Sequence, residues 1–201
     1  MMTLAIDTST SRGSVALLAD GALLLDESFS AERSHSATLF AVLEKARTLA
    51  ERVDVIAVGL GPGSFAGVRI SIAAALGLEL ALAAKLVGLP SAAALAVEAE
   101  EYLVIGDARR ETFYFTRVVR GECVEGPLLA TAAELTKRLS TAQMMPIFTS
   151  AELPQFPLAQ LALPSATRLA QLAAGGRGIV QRHDLEPIYL REPHITQPKA
   201  R

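Results

Sequence analysis

Apolar and polar positions follow an order that occurs twice along the chain. Leu4 to Ile6 is a short apolar run that ends at Asp7, and the polar turn Thr8-Ser9-Thr10-Ser11-Arg12-Gly13 follows. Ser14 to Leu18 reads as a second strand, and Gly21 marks a turn before a third, Ala22 to Phe29, so a three-strand meander is predicted. From Ser34 to Val53 the period lengthens to that of a helix. Leu39, Val42, Leu43, Ala46, Leu49, Ala50 and Val53 share one stripe, with Glu44, Lys45, Arg47 and Glu51 elsewhere. Val55 to Val58 reads as a buried strand, and a glycine loop from Gly59 to Gly67 leads into a second helix, Val68 to Ala84. A short strand, Leu86 to Leu89, and a helix from Ser91 to Glu98 complete the unit.

The pattern then restarts. Tyr102 to Gly106 is apolar and ends at Asp107, a turn Ala108-Arg109-Arg110-Glu111 follows, and Thr112 to Val119 is strand-like. Asp7 and Asp107 thus stand at the same place in two strand–Asp–turn–strand units. The pattern predicts an α/β protein of two βββαβα lobes facing each other across a cleft, residues 1–101 and 102–201. The second lobe is expected to be reduced, because Pro146, Pro154, Pro157 and Pro164 cut its middle into short pieces. One helix is legible there, with Ser165 as N-cap and Gly175 as its stop. The closing Glu186-Pro187-Ile188-Tyr189-Leu190-Arg191-Glu192-Pro193 reads as an extended segment that packs back on the first lobe.

Composition narrows the class. Of 201 residues, 51% are apolar and 20% charged, enough to build a core and inconsistent with disorder. The 35 alanines and 30 leucines, with no tryptophan, favour closely packed helices. A lone Cys123 cannot form an internal disulfide. Met1-Met2-Thr3-Leu4 lacks the basic and apolar segments of a signal peptide. The most apolar run, between Arg69 and Lys85, is 15 residues long and interrupted by Glu79, short of the roughly 20 needed to span a bilayer. A soluble, cytoplasmic protein is expected. The net charge is −2, far from the basic stripe of nucleic-acid-binding domains. Arg109, Arg110, Arg117 and Arg120 are candidates for RNA phosphate contact, and a solvated strand pair accounts for them more simply.

Candidate chemistry concentrates in the first half. Gly59-Leu60-Gly61-Pro62-Gly63-Ser64-Phe65-Ala66-Gly67-Val68-Arg69 sits between a strand and a helix, where free N–H groups can face an anion. It matches neither phosphate-loop template, so a tight structural turn and a phosphate or partner contact both stay open. Asp7 has two readings: an acidic residue near a nucleotide-bound metal, or a turn cap that accepts hydrogen bonds from Ser9 and Thr10. Candidates for cofactor contact are therefore Asp7, Gly61, Gly63 and Ser64. His35, His183 and His194 show no helical pairing, so no metal site is expected, and His35 should open a helix capped by Ser34. No catalytic set assembles, and a peptidase reading finds neither paired metal ligands nor a triad. On the second helix, Glu79 should point to water, and Ile72, Ala75 and Leu82 lie within roughly 60° of it on a 100° wheel. With Phe40 on the polar side of the first helix, they predict an exposed apolar patch of the kind that marks an interface.

The motifs Leu4-Ala5-Ile6-Asp7-Thr8-Ser9-Thr10, Ser34-His35-Ser36, Gly61-Pro62-Gly63-Ser64-Phe65-Ala66-Gly67-Val68-Arg69, Asp107-Ala108-Arg109-Arg110 and Pro187-Ile188-Tyr189-Leu190-Arg191 occur in one order along the chain. In this the sequence resembles the bacterial TsaB (YeaZ) family of the actin-like ATPase superfamily. The resemblance implies a two-lobed actin-like (ASKHA, ribonuclease H-like) fold and a role in threonylcarbamoyladenosine (t6A) formation at position 37 of tRNAs reading ANN codons. It implies a non-catalytic scaffold that heterodimerises through its first-lobe helices with the catalytic TsaD-like subunit. A TsaE-like ATPase joins that assembly, tRNA is met only through the complex, and the same surface serves a homodimer in isolation. No cofactor is implied. The enzyme alternative is an ATP-dependent kinase or hydrolase using Asp7 and Asp107 around Mg²⁺. Two departures stand out: Ala66 replaces the usual Thr, and the second lobe is abbreviated between Ser140 and Ser165. On this reading a charge at Leu82 or Ile72 abolishes pairing and leaves the monomer folded.

Overall fold

The structure, a computed structural model, describes residues 1–30, 35–142, 145–178 and 185–191. The first half builds β1 (Met2–Asp7), β2 (Arg12–Ala19), β3 (Ala22–Ser30), α1 (His35–Leu49), β4 (Val55–Gly59), α2 (Phe65–Leu82) and β5 (Lys85–Leu89). The second half builds β6 (Glu101–Asp107), β7 (Thr112–Val119), β8 (Glu122–Thr131), α3 (Ala132–Thr141), β9 (Ile147–Thr149), β10 (Gln160–Leu161) and α4 (Ala166–Ala174). The strands form two five-stranded sheets of the same topology, β3-β2-β1-β4-β5 and β8-β7-β6-β9-β10. In each, an antiparallel meander is extended by two parallel strands. This duplicated sheet topology is the one expected from the repeated strand–Asp–turn–strand pattern.

The apolar strand runs follow from burial on both faces. Leu4, Ile6, Val15, Leu17, Ile56 and Val58 pack with residues of α1 and α2, whereas Ala5, Ala16, Leu18, Val55 and Ala57 point to the other side and pack with α4. That second layer is shared. Tyr102, Val104, Tyr114, Val118 and Phe148 of the second sheet belong to the same cluster, so α4 lies between the two sheets. α3 covers the outer face of the second sheet, with Leu135 against Leu103, Ile105, Phe113 and Phe115. Many of the alanines go to the middle layer, among them Ala92, Ala93, Ala94, Ala162, Ala166, Ala170 and Ala173. Small side chains let the backbone there approach both sheets.

Several expectations need correction. The helix predicted for Ser91 to Glu98 is a single 3-10 turn, Ser91–Ala94. It stops because Ala96 N–H donates to Leu163 O and Ala94 O accepts from Ser165 N–H, tying the chain to the α4 crossover instead of to a further helical turn. α1 ends at Leu49 rather than Val53, and Leu49 is exposed although placed on the apolar stripe. Cys123 lies half-buried in β8. The second lobe holds a second helix, α3, whose capping box joins Thr131 and Glu134. α4 has Ser165 as N-cap, accepting from Arg168 N–H, and Gly175 at its end, as expected. The Ser34 cap, His183 and His194 lie outside the described residues.

The correction that matters most concerns α2. Ile72 is 7% exposed and Ala75 fully buried, so neither faces water. Glu79 and Leu82 are half-buried at the border. The exposed arc is turned by about one residue, roughly 100°, and carries Phe65, Ala66, Arg69, Ala73, Leu76, Gly77 and Leu80. Glu79 misleads because a glutamate can lay its stem along apolar neighbours and still reach water with its carboxylate. An apolar face does exist: α2 has mean hydropathy 1.7 over 18 residues, yet only 33% of them are buried in the chain. By length and composition alone α2 could also cross a membrane.

Two glycines that look alike in the sequence should respond oppositely to alanine. A Cβ on Gly67 would lie 1.9 Å from Thr8 O, whereas one on Gly77 meets nothing within 4 Å. Gly67→Ala should cost about 1–3 kcal/mol in urea unfolding, and Gly77→Ala should raise stability by up to about 1 kcal/mol.

Candidate functional site

Asp7 ends β1 at the centre of the first sheet, and its carboxylate points inward at 1% exposure. Ser9 donates to Oδ1 twice, from its backbone N–H at 2.8 Å and from its hydroxyl at 2.7 Å. The Ser91 hydroxyl donates to Oδ2 at 2.6 Å, and Gly61 N–H donates to the Ser91 oxygen at 3.0 Å. The turn after β1, the glycine loop and the segment after β5 thus meet on one buried carboxylate. These are the contacts of a turn cap, with Ser9 and Ser91 as donors in place of Ser9 and Thr10. A Cβ on Gly59 would fall 1.9 Å from Oδ2, which is why this position takes glycine.

The glycine loop closes over the same turn. Ser64 N–H donates to Ser9 O at 2.6 Å, Thr8 donates from its hydroxyl to Gly67 O at 2.7 Å, and a Cβ on Gly63 would lie 2.1 Å from Ser9 O. Ser64 is also the N-cap of α2, accepting from Gly67 N–H. Leu60, Gly61 and Ser64 N–H groups are therefore engaged within the chain. The sequence candidates Asp7, Gly61, Gly63 and Ser64 do come together, and what they assemble is a brace that fixes where α2 starts.

Asp107 occupies the equivalent position in the second sheet but is exposed. It accepts from Arg109 N–H at 2.7 Å, and the Arg109 guanidinium lies 3.5 Å from its other oxygen. Its turn is unusual. Arg109, Arg110 and Glu111 have φ of 66°, 53° and 58°, three consecutive non-glycine residues in the left-handed region, each costing about 1 kcal/mol or more. Arg117 of β7 pairs with Glu101 of β6, and Arg120 with Glu100 just beyond the ends of those strands. Among the described residues, no three His, Cys, Asp or Glu side chains gather as a metal set. Two surface grooves, of about 340 and 420 Å³, lie beside Met1 and Asp54 and beside Leu139 and Leu158, neither lined by Asp7 or the glycine loop.

The closing segment crosses between the lobes. Leu185 packs on Gly88, and Ile188 N–H donates to Leu60 O at 2.8 Å. Tyr189 sits on Phe65 with ring centroids 5.5 Å apart, and Arg191 donates to the Thr112 hydroxyl. Arg69 lies 4.9 Å over the other ring of that pair, Phe65. Phe65 and Tyr189 stand inside two of the sequence motifs, but nothing in the sequence shows that they meet. An aromatic at the first position of an apolar helix was the available signal.

Burial holds the Asp7 pKa above its ordinary 3.8, outweighing the hydrogen bonds from Ser91 and Ser9 that pull it down. Relative to the unfolded chain, the folded state therefore holds this proton to higher pH. The contribution of this group to stability is full below pH 3.8 and is lost as pH rises through the higher folded value. Asp7→Asn cannot titrate there, so the stability of the wild type relative to Asp7→Asn should fall as the pH rises above 3.8 in urea titrations. A relative stability that rises over that range would contradict the burial argument.

Comparison with known proteins places this architecture. The family model for TsaD, tRNA N6-adenosine threonylcarbamoyltransferase, matches residues 30–164. A Mycobacterium tuberculosis relative, itself described only as an uncharacterized protein, is 31% identical over 94% of this chain and 92% of its own length. The tRNA threonylcarbamoyladenosine biosynthesis protein TsaB of Haemophilus influenzae is 33% identical over 58% of this chain and 53% of its own. Among solved structures, a Pseudomonas aeruginosa protein described as similar to peptidase YEAZ superposes with TM-score 0.75 at 30% identity, covering 94% of this chain and 99% of that one. YeaZ from the same organism superposes with TM-score 0.72 at 26% identity, covering 94% and 100%. The fold and these matches agree: this chain belongs to the TsaD family of tRNA N6-adenosine threonylcarbamoyltransferases, as a TsaB/YeaZ-like member of it.

Proposed function

We propose that this chain is a non-catalytic scaffold and activator for t6A formation at position 37 of tRNAs reading ANN codons. It acts in the cytoplasm by heterodimerising with a TsaD-like catalytic subunit, with a TsaE-like ATPase joining the assembly. In isolation the same surface serves a homodimer. The observation that carries this reading is the exposed face of α2. Leu80 is 86% exposed and Phe65 50%, with Leu76 between them and Phe40 of α1, 55% exposed, on the neighbouring helix. Solvating such a face is unfavourable by roughly 25 cal/mol per Å², which association with a partner removes. Glu79 and Leu82 border the proposed surface, and the buried Ile72 and Ala75 support it from beneath.

A kinase or hydrolase would need its first-strand carboxylate open to a nucleotide-bound metal. Here Asp7 faces Ser9 and Ser91 under the glycine loop, which supports a structural part for it. Titrating Mg-ATP into the isolated chain in a calorimeter should give no micromolar binding with turnover, and such binding would overturn the scaffold reading.

The interface makes a sharper demand. Leu80→Glu should weaken binding to the TsaD-like subunit about tenfold or more, measured by surface plasmon resonance, with the melting temperature unchanged. Ile72→Glu should instead unfold the chain, since it places a carboxylate in the core. Pairing that survives both Leu80→Glu and Leu76→Glu places the contact elsewhere.

A further inference from the structure

Two of the sequence motifs, Asp107-Ala108-Arg109-Arg110 and Pro187-Ile188-Tyr189-Leu190-Arg191, have no part in the surface proposed above, and they meet in space. The Arg191 guanidinium donates to the Thr112 hydroxyl, which in turn donates to Arg109 O at 2.8 Å. From there a continuous surface runs through Tyr189 to Phe65 and Arg69. Arg69, Arg109, Arg110 and Arg191 are all exposed along it, and both aromatic rings are partly open to water.

From this juxtaposition we infer that the β6–β7 turn and the C-terminal segment form a contact for the phosphodiester backbone of RNA, with Tyr189 placed to meet an unpaired base and Phe65 behind it as its support. Arginine forks match phosphate oxygens, and aromatic faces stack bases without regard to sequence. The three left-handed residues hold Arg109 and Arg110 outward at the tip of the hairpin, a strained arrangement of the kind retained where a ligand is clamped. Arg117 and Arg120 lie outside the β6–β7 turn, paired with Glu101 and Glu100, and are not part of it. Asp107, Glu111 and Glu186 are exposed on the same segments, and Asp107 is drawn onto Arg109. Four arginines against three carboxylates is a small excess. It suits a contact that orients an RNA already held by a partner subunit, and in that sense the inference rests on the proposed pairing.

The test uses the double variant Arg109→Asn/Arg110→Asn, because asparagine tolerates the left-handed region better than arginine. Its melting temperature should equal or exceed that of the wild type, so a loss of binding cannot come from unfolding. Each form is assembled with the TsaD-like subunit, the complex is verified by gel filtration, and its affinity for a fluorescent tRNA transcript is measured across a salt series. The double variant should bind about three- to tenfold more weakly, with a salt slope shallower by about 1.4 for two lost phosphate contacts. Arg191→Ala should weaken binding in the same direction, and Arg117→Ala should leave it unchanged. Complexes that assemble normally and bind tRNA with unchanged affinity and slope overturn the inference and leave the pairing intact. A loss confined to Mg-ATP binding, with tRNA affinity unchanged, overturns it as well. Failure of the wild type to assemble overturns the pairing itself.

Discussion

The structure depends on one close approach of backbone to backbone: the glycine loop after β4 lies directly on the turn after β1. Gly63 and Gly67 leave no room for a Cβ against Ser9 O and Thr8 O, and Gly59 leaves none against the Asp7 carboxylate. With no side chains at these glycines, Ser9 and Ser91 can donate to the Asp7 carboxylate and Gly61 N–H to Ser91, which satisfies a group that burial would otherwise make costly. Because Ser64 both donates to Ser9 O and caps α2, the position of that helix is set by the same contact. The outward face of α2 is thus presented by a braced support.

Much of this was legible in the sequence. Strands buried on both faces appear as short apolar runs, and Asp7 and Asp107 at their ends betray the duplication. α4 is announced by its cap and stop, Ser165 and Gly175. α3 escapes notice because it is weakly apolar and short, although Thr131 and Glu134 spell a capping box. The segment after Ser91 has helical composition and still leaves the helix, since its backbone partners, Leu163 and Ser165, lie in the other half of the chain.

The site was legible in its members and not in its direction. Asp7 and the glycine loop stand out from the sequence alone, but the hydroxyl of Ser91, 84 residues away, decides that the carboxylate faces inward. The same holds for α2. Its surplus of apolar residues is plain, yet which arc faces water is decided by how the helix lies on β4, and Glu79 at the border gives the wrong centre. The composition tells the same story: alanine fills the layer shared by the two sheets, and leucine is left over on the outside of α2.

On the proposed reading the chain contributes to a reaction through placement, with the buried Asp7 carboxylate acting as a brace. Threonylcarbamoyl transfer to tRNA, reconstituted with the TsaD-like subunit and rising concentrations of either wild type or Asp7→Asn, tests that most directly. The account predicts that Asp7→Asn raises the concentration needed for half-maximal activity and reaches the same plateau. A plateau abolished by Asp7→Asn at saturating concentration would contradict it.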